Sequence, residues 1–179
     1  LPGIHMSQGK GIGDMELRIR GFDVSNIQLL INGIPESSVD EGWIYWSNFT
    51  GIEDFAESVF VMKGISNHHP FSRAGGTISV NLVDAASDSL TRFSASYSNL
   101  SGNKIHFLHS SGPSRNGFSW ALGGTWRYGS GYKDQTWFRG GNYFLNLSKT
   151  LGRKNLLQLT IIGCPQRHGQ AAAYLPDSI

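Results

Sequence analysis

Few side chains in this sequence stand at spacings that perform chemistry. Cys164 and His168 fall four apart in Gly163-Cys164-Pro165-Gln166-Arg167-His168-Gly169-Gln170. A thiol and an imidazole act as nucleophile and base only when a third group orients the ring and donors face the oxyanion, and the sequence supplies neither. His68 and His69 are adjacent, so they cannot share one face of a regular element, and no cysteine or carboxylate stands near them at a zinc spacing. They read as part of a polar loop. His106 and His109 are three apart on an alternating segment, hence on opposite faces. Gly9-Lys10-Gly11-Ile12-Gly13 lacks the four-residue spacer and the Ser or Thr of a phosphate-binding loop. No metal or cofactor is expected, and no enzymatic activity.

Binding chemistry is better represented. Trp43, Tyr45 and Trp46 crowd beside acidic residues in Glu41-Gly42-Trp43-Ile44-Tyr45-Trp46-Ser47-Asn48. Such a cluster stacks on a sugar or flat ligand, and equally packs a loop onto its domain. Residues 132–139, YKDQTWFR, mix charge with Trp137 and Phe138 and form a second ligand-contacting surface. Asn48-Phe49-Thr50, Asn99-Leu100-Ser101 and Asn146-Leu147-Ser148 match the glycosylation triplet, a pattern short enough to arise by chance.

The elements that carry these groups are mostly strands. Charged residues are 16% of the 179, below the ~25% of an ordinary soluble domain. The 23 glycines and 12% aromatics favour turns and β structure over helix bundles. A net charge of +2 is too balanced for nucleic-acid binding by bulk electrostatics. One cysteine excludes an intrachain disulfide. No leader-like segment is expected within the sequence, and no window reaches the ~18 apolar residues of a spanning helix. Barrel strands, being short and half apolar, escape that test.

Residues 1–14 read as a loop. Residues 17–19 alternate Leu17 and Ile19 with Arg18 and Arg20, a strand with one apolar side that aims Arg20 outward. Residues 27–31 are apolar almost throughout, as in a strand covered on both faces, and Asn32-Gly33 supplies the positive φ angles of a tight hairpin. Ile52, Phe55 and Ala56 recur at helical offsets, with Glu53, Asp54 and Glu57 outside, and predict a short helix over 51–58. Strands are predicted over 59–62 and 77–82. A small mixed α/β domain over residues 1–85 follows.

From Leu90 the pattern becomes repeated alternation. Phe93, Ala95 and Tyr97 oppose Arg92, Ser94 and Ser96; Ile105 and Phe107 oppose Lys104 and His106. Phe118, Trp120, Leu122, Trp126 and Tyr128 oppose Ser119, Ala121, Thr125 and Arg127. Tyr143, Leu145 and Leu147 oppose Asn142, Asn146 and Ser148, and Leu157, Leu159 and Ile161 oppose Gln158 and Thr160. About five antiparallel strands, each with one apolar and one small or polar face, fit a soluble sandwich or a lipid-exposed barrel. The polar face suits a wet lumen better than a dry core.

The ordered set of Arg20-Gly21-Phe22, the Asn32-Gly33 hairpin, the Trp43 to Asn48 segment, Val59-Phe60-Val61-Met62-Lys63-Gly64, Gly75-Gly76-Thr77-Ile78 and the Gly163 to Gln170 segment resembles TonB-dependent outer-membrane receptors, most closely those of the Bacteroidetes type. The resemblance implies a plug domain over 1–85 followed by the first strands of a transmembrane β-barrel over 86–179. It implies import of a scarce solute, of the siderophore, cobalamin or oligosaccharide class, across the bacterial outer membrane. Its partners would be the TonB energy-coupling complex, the small-molecule or oligosaccharide ligand and outer-membrane lipid, with no nucleic acid. In the family, basic residues at Arg20-Gly21 and Lys63-Gly64 face acidic groups on the barrel wall; lysine here stands where arginine is usual.

If the first strand runs outward, residues 111–117 and 149–155 are short periplasmic turns, and 129–141 and the stretch after Gly163 are longer outer loops. Five strands leave an open edge whose backbone groups lipid cannot satisfy, so the sequence is expected to be a fragment of a larger, ~22-stranded barrel. The rival expectation is a soluble β-sandwich module that binds glycans on Trp43, Trp46 or Trp137.

Overall fold

The structure is a computed structural model and describes residues 3–7, 16–37, 42, 44–65, 73–99, 102–131, 134–152 and 154–169. Trp43, His68, His69 and the glycine-rich segment 9–13 lie outside the described residues.

The chain opens on a two-stranded ribbon, β1 (Ile4–Ser7) antiparallel to β2 (Glu16–Ile19). Residues 4–7 are therefore strand where the polar composition predicted loop, because pairing with β2 satisfies their backbone. Leu17 and Ile19 are buried and Arg18 is exposed, as alternation requires. Arg20 departs from the alternation. The chain reverses there, with Ile19 and Phe22 exchanging backbone hydrogen bonds of 3.1 and 2.9 Å, and Arg20 takes φ 53°. A turn, rather than a strand face, aims its side chain.

A four-stranded mixed sheet follows, in the order β4 (Ile34–Glu36), β3 (Ile27–Ile31), β6 (Gly76–Leu82), β5 (Ala56–Lys63). Strands β3 and β6 are parallel, and the other two pairs are antiparallel. Every residue of β3 is buried, which explains why its sequence is apolar without alternation. Asn32 and Gly33 turn the chain with φ 50° and 80°. Asn32 does more than turn: its side-chain oxygen accepts from Leu82 N at 2.8 Å and its N–H donates to Val80 O at 2.9 Å, stitching the hairpin to β6.

The helix predicted over 51–58 is a 3-10 turn, Ile52–Phe55, and β5 begins at Ala56. The α/β expectation reduces, among the described residues, to a mixed sheet with short 3-10 turns. The apolar offset of three from 52 to 55 serves a 3-10 turn as well as an α-helix of 3.6 residues per turn, and Val59 and Val61 favour the extended ladder beyond it. The change matters for Asp54: helical offsets placed it outside, whereas the turn buries it.

The rest is an antiparallel meander of β7 (Ser89–Ser96), β8 (Asn103–Ser111), β9 (Phe118–Gly129), β10 (Phe138–Leu151) and β11 (Asn155–Gly163), each paired with the next. The stretch after Gly163 is not simply a loop. A further strand, β12 (Gln166–His168), pairs with β10 in the same register as β11. The ladder between them carries Pro165, which has no N–H to donate, although its carbonyl still accepts from Gly141 N at 3.0 Å. In effect the fifth strand continues to His168.

The two faces of the meander are unlike. The globule of β1 to β6 covers the inner face, which presents His106, Leu108, Ala121, Thr125, Asn146 and Ser148, all buried. The outer face is uncovered and apolar: Phe107, Leu122, Trp126, Tyr143, Leu159 and Ile161 are each at least 40% exposed. A soluble sandwich would pack that apolar face inward, so this geometry does not favour the sandwich. On β10 the outer face is bracketed by Arg139 and Lys149, about 34 Å apart at ~3.4 Å per residue. At the tilt of barrel strands that spans about 24–28 Å, the height of a membrane-barrel apolar band at ~25 Å.

A single apolar cluster joins Ile19, Ile27, Leu29 and Val80 of the globule through Phe55 to Leu108, Ala121 and Phe144 of the meander. Phe55 stacks on Phe144 at 5.2 Å between ring centroids. Ile27 is fully buried at the head of β3. Ile27→Ala is expected to destabilise the globule by about 2–5 kcal/mol, read as faster amide exchange in β3 and β6. Unchanged protection there would show that β3 is not the centre of this core.

Candidate functional site

The site with the most chemistry is the seam where the globule meets the inner face. Its upper part is built on Asp54, held by the 3-10 turn in which Asp54 N donates to Gly51 O at 3.0 Å. The Asp54 side chain is 7% exposed and takes Lys104 Nζ at 2.6 Å on Oδ1 and an Arg127 amino group at 3.0 Å on Oδ2. Thr125 Oγ1 also donates to Oδ2, at 3.0 Å. Arg127 reaches the more exposed Glu53 at 2.8 Å. Lys104 and Arg127 are directly paired across β8 and β9, two like charges on adjacent strands that would repel without a carboxylate between them. Asp54 is that carboxylate. Burial by itself would push its acid up, but the Lys104 hydrogen bond and the Arg127 charge outweigh burial and hold it below its ordinary value of 3.8.

Beside this cluster His106 is buried, with Nδ1 3.0 Å from Thr125 Oγ1 and its ring 5.7 Å from that of Phe55. His109 lies on the opposite face, 5.1 Å from the Trp120 ring, as the three-residue spacing predicts. Lower on the seam Asn142 donates to Thr50 O. Gly51 has φ 85°, and a Cβ there would run into the Asn142 side chain, so only glycine lets the turn approach so closely. Lower still, Asn146 Oδ1 accepts from Ala85 N at 3.0 Å, and Ser148 Oγ and Gln158 Nε2 donate to Asp84 at 3.2 and 3.0 Å. Asn146 is 1% exposed and cannot serve as a glycosylation acceptor. A seam of hydrogen bonds and three ion pairs, with Phe55 as its apolar peg, holds the globule through groups that water can replace.

Sequence reading found the polar inner face, Asn146 included, but not Asp54, Phe144 or the Ala85 partner of Asn146, because these contacts join residues far apart in the chain. The two bases on that face, Lys104 and Arg127, were the available signal that a carboxylate is needed there.

The predicted site residues fall in three places. Arg20 and Lys63 are exposed on the globule. They gather around Gly3 and Gly64: Arg20 Cγ and Lys63 Nζ lie 3.6 and 3.9 Å from where a Cβ on Gly3 would stand, and an Arg20 amino group 3.8 Å from one on Gly64. Gly21 and Gly64 both have positive φ, 83° and 79°. Tyr45 is exposed, whereas Trp46 packs on the core cluster. Trp137 is 44% exposed and lines a concavity of about 420 Å³ with Tyr97, Asn99, Tyr128 and Arg139. Phe138 is buried, its ring folded against Gly140. Cys164 and His168 share one face of the fifth strand four residues apart, about 13 Å at ~3.3 Å per residue, and form no dyad.

No protein-family model and no curated protein matches the sequence. Solved structures do. Copper transporter OprC matches with TM-score 0.72 over 94% of this chain at 16% identity. The pyoverdine outer-membrane receptor FpvA from Pseudomonas aeruginosa, bound to pyoverdine, matches with TM-score 0.66 over 90% at 16% identity. The FrpB iron transporter from Neisseria meningitidis matches with TM-score 0.63 over 90% at 15% identity. The chain spans 27%, 23% and 28% of those chains. The fold is therefore shared with part of outer-membrane receptors and transporters.

Asp54→Asn is expected to weaken the seam by about 2–3 kcal/mol at neutral pH, since it leaves two half-buried bases opposed. A carboxyl held below its ordinary value stabilises fully above about pH 4, and the contribution vanishes as pH falls through the lowered value. Protease sensitivity of the globule should thus rise in acid for the parent protein and stay uniformly high in the variant. Identical acid profiles would remove Asp54 from the seam's energetics.

Proposed function

We propose that this chain is the plug domain, residues 1–85, and the first barrel strands, residues 86–179, of a TonB-dependent receptor that imports a scarce solute across the bacterial outer membrane. The observation that carries it is the inverted sheet: its polar face holds a globule and its apolar face, bounded by charge at membrane height, is bare. A bare apolar face of that extent is stable where the surrounding medium is itself apolar. The solved structures of similar fold, receptors and transporters of copper, iron and pyoverdine, support import over catalysis.

In this reading the seam is the contact that must yield. Its polar contacts can exchange protein partners for water as the globule shifts, so a pull from the TonB energy-coupling complex breaks hydrogen bonds that water replaces, together with the apolar contact of Phe55. Arg20 with Gly21 and Lys63 with Gly64 would bind acidic groups on the rest of the barrel wall. Tyr45 and Trp137 would offer ligand-facing rings, with Trp43 placed near them by sequence. The solute is a metal chelate of the siderophore class, cobalamin or an oligosaccharide, and the motif wording favours a Bacteroidetes-type receptor.

Uptake of labelled ferric siderophores, cobalamin and oligosaccharides is to be compared in cells with and without the full-length gene. Accumulation of one of them should require the gene and stop when a protonophore collapses the energy source, while surface binding persists. Accumulation that continues without energy would overturn the coupled mechanism. Leu122→Arg, at mid-height on the outer face, should cost about 2–4 kcal/mol of membrane assembly, seen as loss of the heat-modifiable folded band.

A further inference from the structure

We propose that Arg139 and Arg167 form a binding site for the phosphate of a lipid headgroup at the upper rim of the sheet, an inference that rests on the membrane reading above. In the register of β10 with β12, Arg139 stands directly opposite Arg167, and on its other side opposite Tyr128 of β9. Directly opposed residues share a face, so all three project from the outer surface. Both arginines are exposed.

Two like charges facing each other across a strand pair destabilise it. The inner face shows how this protein treats that arrangement: Lys104 opposes Arg127 and Asp54 lies between them. Among the described residues no carboxylate forms an ion pair with Arg139 or Arg167. Their neighbours in the same row are Tyr128 and, beyond it, Asn103. The pair therefore needs an anion that the described residues do not supply. Two arginines opposed in register on one face can together offer a phosphate paired N–H donors.

Position selects the source of that phosphate. The pair sits one row above Trp126 on the outer face, at the height where aromatic rings meet the headgroup layer. The adjoining concavity of about 420 Å³ is lined by Tyr97, Asn99, Tyr128 and Trp137 as well as Arg139, rings and amides suited to the polar stem of a headgroup. At the lower edge Lys149 instead faces Leu157 and Phe118 and donates to Asn116 O at 2.9 Å. The unmatched pair is a property of the upper rim.

The test uses the full-length protein in nanodiscs of phosphatidylcholine with or without phosphatidylglycerol, followed by native mass spectrometry of retained lipid. Phosphatidylglycerol should be retained about tenfold over phosphatidylcholine, and Arg139→Gln with Arg167→Gln should abolish the preference. High salt should weaken it and inorganic phosphate should not displace it. Equal retention by the double variant overturns the site, as does displacement by inorganic phosphate, which would make it a site for a soluble anion. If the double variant does not assemble, Arg167→Gln alone should lower the preference, and an unchanged preference overturns the site. A parent protein that stays out of the discs overturns the membrane reading itself, a result distinct from one that enters and shows no lipid preference.

Discussion

The structure depends on one charge balance. Asp54 is a carboxylate buried between two sheets, and taking such a group out of water costs several kcal/mol unless partners replace the lost hydration. Lys104, Arg127 and Thr125 supply them. The dependence is mutual, since Lys104 and Arg127 oppose each other in register and need a negative charge between them. Neither the globule nor the inner face is electrostatically complete alone, which fixes where the globule docks.

That balance explains the division of labour along the seam. Ionic and amide contacts set position, while Phe55 on Phe144 gives the contact its apolar part. Close approach is permitted by small residues: Gly51 against Asn142, and Gly123, where a Cβ would lie 2.9 Å from the Phe55 ring. A larger apolar interface would hold more tightly and yield less readily. A seam made of hydrogen bonds exchanges its partners for water more readily than an apolar one would.

The meander carries the opposite logic on its other side. Large apolar side chains stand free between the Arg139 and Arg167 pair above and Lys149 below, and tyrosine and tryptophan gather near the upper row. In water so much bare apolar surface would drive association. In lipid the same surface is simply solvated, and only the rows at its edges need polar partners.

Alternation alone determined the meander, because period two is a local property: the faces read from residues 93–161 are the faces observed. The Asn32-Gly33 hairpin and the fully apolar β3 were legible for the same reason, each being written in consecutive residues. The segment 51–58 was not, since an offset of three is compatible with a 3-10 turn and an α-helix alike, and pairing of β5 with β6 decided between them. The strand after Pro165 was hidden because proline argues for a break, while register with β10 carried the ladder through. What only the tertiary structure decided was the seam. Asp54 meets Lys104 and Arg127 across fifty or more positions, and no local pattern records which carboxylate will neutralise a pair of bases that the folding of another sheet brings together.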